Sequence, residues 1–237
     1  MKSWQEDLLD LVPDKAMCER EIFRRVEAAA LALGFEYVAY GFQSPTPFSR
    51  PKITLLNNYP VSWQERYAQA GYLQADPTVA HGRRYQVPII WTDQVFADAQ
   101  SLWDEARAHG LRVGWAQSSL DVLGAGGMLT LSRSCQSLSP QELDAKQQKM
   151  RWLVQVAHLA FSRLLRCNQT NGSHNLSDRE LEVLKWSADG KSAQDIADIL
   201  NVSKNTVDFH IKNSVTKLQV PNKTAAVVCA ALLGLLN

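Results

Sequence analysis

Cysteine is scarce and scattered. The chain has Cys18, Cys135, Cys167 and Cys229, and no two of them form a C-x-x-C pair. That excludes a disulfide framework and a zinc knuckle, and it fits a reduced, intracellular protein. Net charge is almost absent too, at +1 over 237 residues. A general electrostatic attraction to nucleic acid is therefore excluded, and any such contact must come from a local arrangement. No apolar run is long enough to span a bilayer. The opening MKSWQEDLLDLVPDK carries acids through its apolar part, unlike a secretion signal. A cytoplasmic protein without a membrane partner is expected. Catalytic signatures are missing as well. His81, His109, His158, His174 and His210 show no H-E-x-x-H spacing, no G-x-S-x-G occurs, and GAGG at 124–127 lacks the lysine of a P-loop. No catalytic residue, metal site or cofactor is expected.

What remains is ample apolar material. Hydrophobic residues make up 46% of the chain, enough for a packed core in one large domain or two small ones. The clearest break is RCNQTNGSHN at 166–175, which is polar, contains Asn-Gly and has no periodicity, as expected of a linker. Before it the pattern is mixed. A helical stripe covers 16–33 and stops at Gly34. FEYVAYGF and ITLLNNYP alternate as strands around the proline-broken SPTPFSRPK. Short helices are expected at 63–72 and 101–110. RVGWAQSSL and GMLTLSRS form a strand pair around LGAGG, and a long amphipathic helix fills 140–165. Strands in one central run with helices on either side predict an α+β fold, an α–β–α sandwich over residues 1–165. After the linker, 176–237 reads as four helices and no strand. Ser177, Ser192 and Ser203 stand where N-caps belong, and Ser177 with Glu180 makes a capping box.

The third of these helices has two distinct sides. Over 203–218, Val207, His210, Ile211, Ser214 and Leu218 share one face, and Asn205, Asp208, Phe209, Lys212 and Thr216 share the other. SAQDIADILN precedes it across a very short turn. Two short helices joined tightly, the second with an exposed polar face, form the helix-turn-helix pattern, whose second helix enters the major groove. Charge is distributed to match. Three cations stand against six anions over 176–198, and four cations against one anion over 199–237. A helical bundle whose polar face meets only water has the same spacing. His210 lies on the inward side, as a core histidine does.

These residues carry a family likeness. LSDRELEVLKWSADGKSAQDIADILNVSKNTVDFHIKNSVTKL, with Glu180, Leu184 and Gly190 at signature positions, resembles the output domain of LuxR-type transcription regulators. NYPVSWQERY, ADPTVAHG, IIW and HGLRVG resemble the acyl-homoserine lactone-binding domain of quorum-sensing receptors, with Trp63, Tyr67, Asp76, Pro77, Trp91 and Gly114 at matching positions. The resemblance covers nearly the whole chain. It implies a regulator that binds an acyl-homoserine lactone in its first domain and, as a homodimer, a palindrome in double-stranded DNA through its second. It also implies that Trp63 takes the lactone carbonyl, Asp76 the amide N–H, and Tyr59 with Thr130 the acyl carbonyl.

The residue types suit that ligand. A buried polar group left unpaired costs ~1–3 kcal/mol, so each needs an answer. An indole N–H only donates, a carboxylate accepts, and hydroxyls can donate to a carbonyl. Tyr67, Trp91, Phe96, Trp103 and Leu111 are candidates for apolar walls. Without the likeness, Trp91 and Trp103 read as plain core and Asp76 before Pro77 as a turn residue. For DNA the candidates are Asn205, Asp208 and Lys212 at base edges, with Lys191, Ser192, Lys204 and Thr216 beside them. Asp208 departs from the Asn, Lys or Arg usual at its position, and residues 117–119 lack a proline many relatives carry. A fatty acyl glycerol is an alternative ligand for the same regulator, and a lactone or lipid hydrolase is an alternative of another class.

Overall fold

The computed structural model describes residues 18–45, 47, 49–121, 124–167 and 176–236. The expected helix start at 16–17, the turn tip at 122–123 and linker residues 168–175 lie outside the described residues. The chain divides into two compact units between Arg166 and Cys167.

The first unit is built on one antiparallel sheet of order β2-β1-β5-β4-β3. Its strands are β1 (Tyr37–Gln43), β2 (Ile53–Asn57), β3 (Ile89–Ile90), β4 (Val113–Leu120) and β5 (Gly126–Arg133). Strand side chains alternate between faces. Val38, Tyr40, Phe42, Trp115, Leu129 and Leu131 point to one side, where α1 (Glu19–Ala32) and the long helix α6 (Pro140–Cys167) cover them. Ile22, Val26 and Ala30 of α1 and Met150, Leu153, Ala157 and Phe161 of α6 complete a dry cluster. Each fully buried aliphatic or aromatic side chain there contributes roughly 1.5–3 kcal/mol. A charged clamp fixes the start of α6. Arg133 at the end of β5 binds Glu142 through two hydrogen bonds of 2.9 and 2.7 Å, and Lys146 Nζ donates to the same carboxylate at 2.7 Å.

The opposite face carries four helices: α2 (Val61–Gln69), α3 (Tyr72–Ala75), α4 (Pro77–Arg84) and α5 (Gln100–Ala108). The single helix expected at 63–72 is split. Gly71 sits at φ 66°, a left-handed conformation that breaks α2 from α3 and that a side chain resists. Helix α4 was not anticipated, and neither was the two-residue β3. Helix α6 runs through Cys167, two residues into the stretch expected as linker.

The second unit holds α7 (Asp178–Ala188), α8 (Ala193–Leu200), α9 (Lys204–Lys217) and α10 (Lys223–Leu232). Ser177, Ser192 and Ser203 cap α7, α8 and α9, with capping boxes at the first two. Asn222 caps α10 in the same way. Val183, Ile196, Ala197 and Val207 form one core cluster, and Leu184, Leu218, Ala226 and Ala230 another. Glu180 is buried, and Lys217 Nζ donates to it at 2.8 Å, joining the start of α7 to the end of α9. No helix among the described residues is long and apolar enough to cross a membrane.

Candidate ligand cavity and DNA-facing helix

Between the second face of the sheet and α2–α5 lies a cavity of about 960 Å³, the size of a small-molecule site. Tyr59, Trp63, Tyr67, Asp76, Trp91, Phe96, Leu111 and Thr130 all line it. Residues scattered over seventy positions in sequence are thus brought to one space.

Trp63 is buried on α2, its ring packed among Tyr67, Tyr72 and His109. No partner takes its indole N–H among the described residues. Asp76 is the N-cap of α4. Its Oδ1 accepts from the Thr78 N–H at 2.8 Å and the Thr78 hydroxyl at 2.6 Å, and its Oδ2 accepts from the Tyr67 hydroxyl at 3.0 Å. Oδ1 thus takes both Thr78 donors, and Oδ2 takes the Tyr67 hydroxyl. Burial raises the Asp76 carboxyl above its usual value, and the bonds from Thr78 and Tyr67 offset part of that. Burial raises the Tyr67 phenol too, with the Asp76 charge adding to it. The Tyr59 phenol is pushed up by burial, partly offset by the neighbouring Ser132. Both hydroxyls therefore stay protonated and able to donate.

Trp91 lies flat on the backbone of Gly114. A Cβ on that glycine would fall 2.1 Å from the indole, so these two positions accommodate each other. The Trp91 Nε1–H is buried without a partner among the described residues. Trp91 meets Phe96 edge-on, with ring centroids 5.9 Å apart. Trp103, expected as a wall, stands one layer behind. It stacks on Phe96 at 4.6 Å, donates its N–H to Asp93 at 2.6 Å and lies under the Arg107 guanidinium. Its own hydrogen bond holds it away from the cavity, so it braces a wall without forming one.

Sequence reasoning missed much of the floor. Ala39, Gly41, Ser118 and Met128 line the cavity between the strands. The signal was available. Ala39 pairs with Thr130 and Gly41 with Met128, so two small residues, two positions apart in the middle of β1, mark the hollow face. Asp-Pro-Thr at 76–78 also announced α4, since Asp caps and Pro favours the first helical position.

In the second unit, α9 is divided as its pattern implied. Val207, Ser214 and Leu218 are buried and Ile211 half-buried, whereas Lys204, Asn205, Asp208, Lys212 and Thr216 are exposed. Phe209 is also exposed on that side, at 59%. His210 is half-buried rather than a core residue. Lys191 and Ser192 stand exposed at the start of α8. The Ser192 hydroxyl accepts from the Asp195 N–H at 3.2 Å. Asn201 takes a left-handed conformation, φ 54°, and makes the tight turn between α8 and α9.

Comparison with known proteins agrees with both units. Residues 19–161 match the autoinducer binding domain family, and residues 174–230 match the luxR family of bacterial regulatory proteins. The transcriptional activator protein AnoR of Acinetobacter nosocomialis is 44% identical, with all of both chains covered. A structure of SdiA in complex with octanoyl-rac-glycerol superposes with TM-score 0.83 at 35% identity, over 100% of this chain and 99% of that one. The N-acylhomoserine lactone dependent LuxR family factor CepR2 of Burkholderia cenocepacia covers 68% of this chain and 92% of its own, with TM-score 0.60 and 29% identity. These relatives are transcription regulators, not enzymes. The chain belongs to the luxR family of transcription regulators, with an autoinducer-binding domain ahead of a helix-turn-helix domain.

Proposed function

We propose that this regulator senses an acyl-homoserine lactone and, with it bound, activates transcription as a homodimer on palindromic DNA. The observation that carries the lactone reading is the gathering of complementary polar groups in one cavity. Trp63 has a donor to give, Asp76 Oδ2 is an acceptor, and the raised phenol of Tyr59 stays a donor near Thr130. A lactone carbonyl, an amide N–H and an acyl carbonyl need that set. Trp63 donates to the ring carbonyl, Asp76 accepts from the amide, and Tyr59 and Thr130 donate to the acyl carbonyl. Tyr67, Trp91, Phe96 and Leu111 supply the walls.

Ligand binds only the folded sensor and stabilises it by mass action. Dimerisation follows through α6, where Trp152 and Leu159 are exposed one above the other, and through α10. Two copies of α9 then meet half-sites about one DNA turn, ~34 Å, apart. Lys212, Asn205 and Asp208 face base edges, and Lys191, Ser192, Lys204 and Thr216 lie near phosphates. In this reading the protein works where its DNA is, in the cytoplasm, with a sensor over residues 1–165 and a DNA-binding domain over 176–237 joined by a linker.

The test is selection from random duplex DNA on full-length protein with and without a lactone. A palindromic site enriched only with lactone is expected. Enrichment independent of lactone refutes the sensing step, and no enrichment refutes the DNA reading. A second reading, a fatty acyl glycerol as ligand, is favoured by the SdiA complex. A glycerol hydroxyl can donate to Asp76 in place of an amide.

A further inference from the structure

The tail end of the cavity has a length that can be read from strand register. Away from Thr130, the floor residues of β5 are Met128 and then Gly126. They pair with Gly41 and Gln43 on β1 and with Ser118 and Leu120 on β4. From Thr130 to Gly126 is four residues, about 13 Å at the usual strand rise. Carbon–carbon bonds of about 1.5 Å in an extended zigzag advance about 1.25 Å each, so this span holds roughly ten carbons. Ala39, Gly41 and Gly126 leave that floor bare. Met128 is the long side chain at its middle, with Gln43 and Leu120 at the level of Gly126, and a thioether adapts its shape easily.

The far end of the cavity adds an independent observation. Leu120, level with Gly126, lines it and is 56% exposed, while Leu55 and Tyr85, beside Gly41 and Ser118 at the level of Met128, line the approach to it and are 48% and 56% exposed. Apolar groups gathered at a cavity mouth mark a place where something apolar arrives.

We infer that the cavity selects acyl chains of about ten to twelve carbons, which pass Leu55 and Tyr85 and whose ends cover Leu120 at its mouth. The inference rests on the reading that sets the acyl carbonyl beside Thr130, and it deepens that reading by fixing the chain class. Each methylene that enters the channel gains affinity about three- to fourfold. Chains of four to six carbons stop short of Met128 and leave the mouth in water. Beyond about twelve carbons the chain emerges and the gain ends.

The experiment is exchange in one tube. Full-length protein is incubated with an equimolar mixture of acyl-homoserine lactones and 1-monoacylglycerols, each series running from four to sixteen carbons. The protein is then desalted and its organic extract quantified by mass spectrometry. Ten- to twelve-carbon chains are expected to dominate whichever series binds, exceeding six-carbon chains on the order of a thousandfold. A maximum at eight carbons or fewer, or gain continuing at the same slope to sixteen, overturns the inference. Glycerols outcompeting lactones at equal length sinks the head-group reading and leaves the chain-length result standing. Gly41→Val should shift the maximum to six or eight carbons, and twelve-carbon binding unchanged in that variant counts against the channel. Should that variant misfold, Leu120→Gln at the exposed mouth serves. It should cut the ratio of twelve- to eight-carbon occupancy several-fold, and an unchanged ratio removes the mouth contact.

Discussion

The two faces of the sensor sheet come from the same three central strands and do opposite things. Tyr40, Leu129, Leu131 and Trp115 fill one face against α1 and α6 until no space is left. One residue along in β1 and β5, Ala39, Gly41 and Thr130 line the cavity on the other face, while at Gly114 of β4 that face is covered by Trp91. Period-two alternation therefore writes two programmes into one strand, a core and a container. The lesson is that a cavity here is specified by what is small, and its stability is supplied by the neighbours pointing away.

Substitution of adjacent residues tests this most severely. Leu129→Ala should lower the denaturation free energy of the sensor by about 2–5 kcal/mol, since it opens a void in a packed face. Met128→Ala, one position away, trims a half-buried side chain that lies against Gly82 of α4 on the cavity side and should cost less than Leu129→Ala without ligand. Equal losses in urea melts refute the division of labour. Gly114→Ala comes next. Its Cβ collides with the Trp91 ring, so overpacking of about 1–3 kcal/mol is expected, read as lost stability with a changed near-ultraviolet tryptophan signal. Trp63→Phe should do the reverse of Leu129→Ala. It keeps the aromatic bulk and removes one donor, so it weakens lactone binding about 10- to 100-fold, as loss of ~1–3 kcal/mol implies, with little effect on the empty protein. Titration by calorimetry measures it.

Acidity sharpens the comparison further, because Glu142 beside the packed face and Asp76 beside the cavity are shifted in opposite directions. On the packed face, Arg133 and then Lys146 hold Glu142 down at about 2 from 4.5. Its contribution is complete above 4.5 and disappears as pH falls toward 2. Glu142→Gln should flatten that acid limb. Asp76, raised by burial from 3.8, favours its protonated form when folded. The stability it confers on the empty sensor is present below 3.8 and is lost as pH rises through its raised value. An amide N–H bound to Oδ2 favours the charged form, so lactone binding should release protons in that window. Calorimetry in buffers of different ionisation enthalpy detects this, the smallest of these effects.

Much of this was legible in the chain itself. The strands of the sheet centre, the capped helices around Ser177, Ser192 and Ser203, and the two-sided character of α9 follow from spacing and cap chemistry, which act within a few residues. The convergence of Tyr59, Asp76 and Thr130 does not follow from spacing. It depends on strand order, and it was legible only through the family likeness. Trp103 shows why residue type alone misleads. A buried indole can line a cavity or brace its wall, and only the partner of its N–H, Asp93, decides which. The break at Gly71 was missed because the apolar stripe of α2 runs on into α3 and outweighs one glycine.

Asp76 holds the start of α4 with one oxygen, and in the proposed function the other meets the ligand. Any change that retunes its head-group contact also uncaps a helix, so that contact is locked to the architecture. The bare floor and exposed mouth carry no such obligation. Diversification of this receptor toward new signals is therefore channelled into the tail, where a single methyl added or removed changes the message without disturbing the scaffold that reads it.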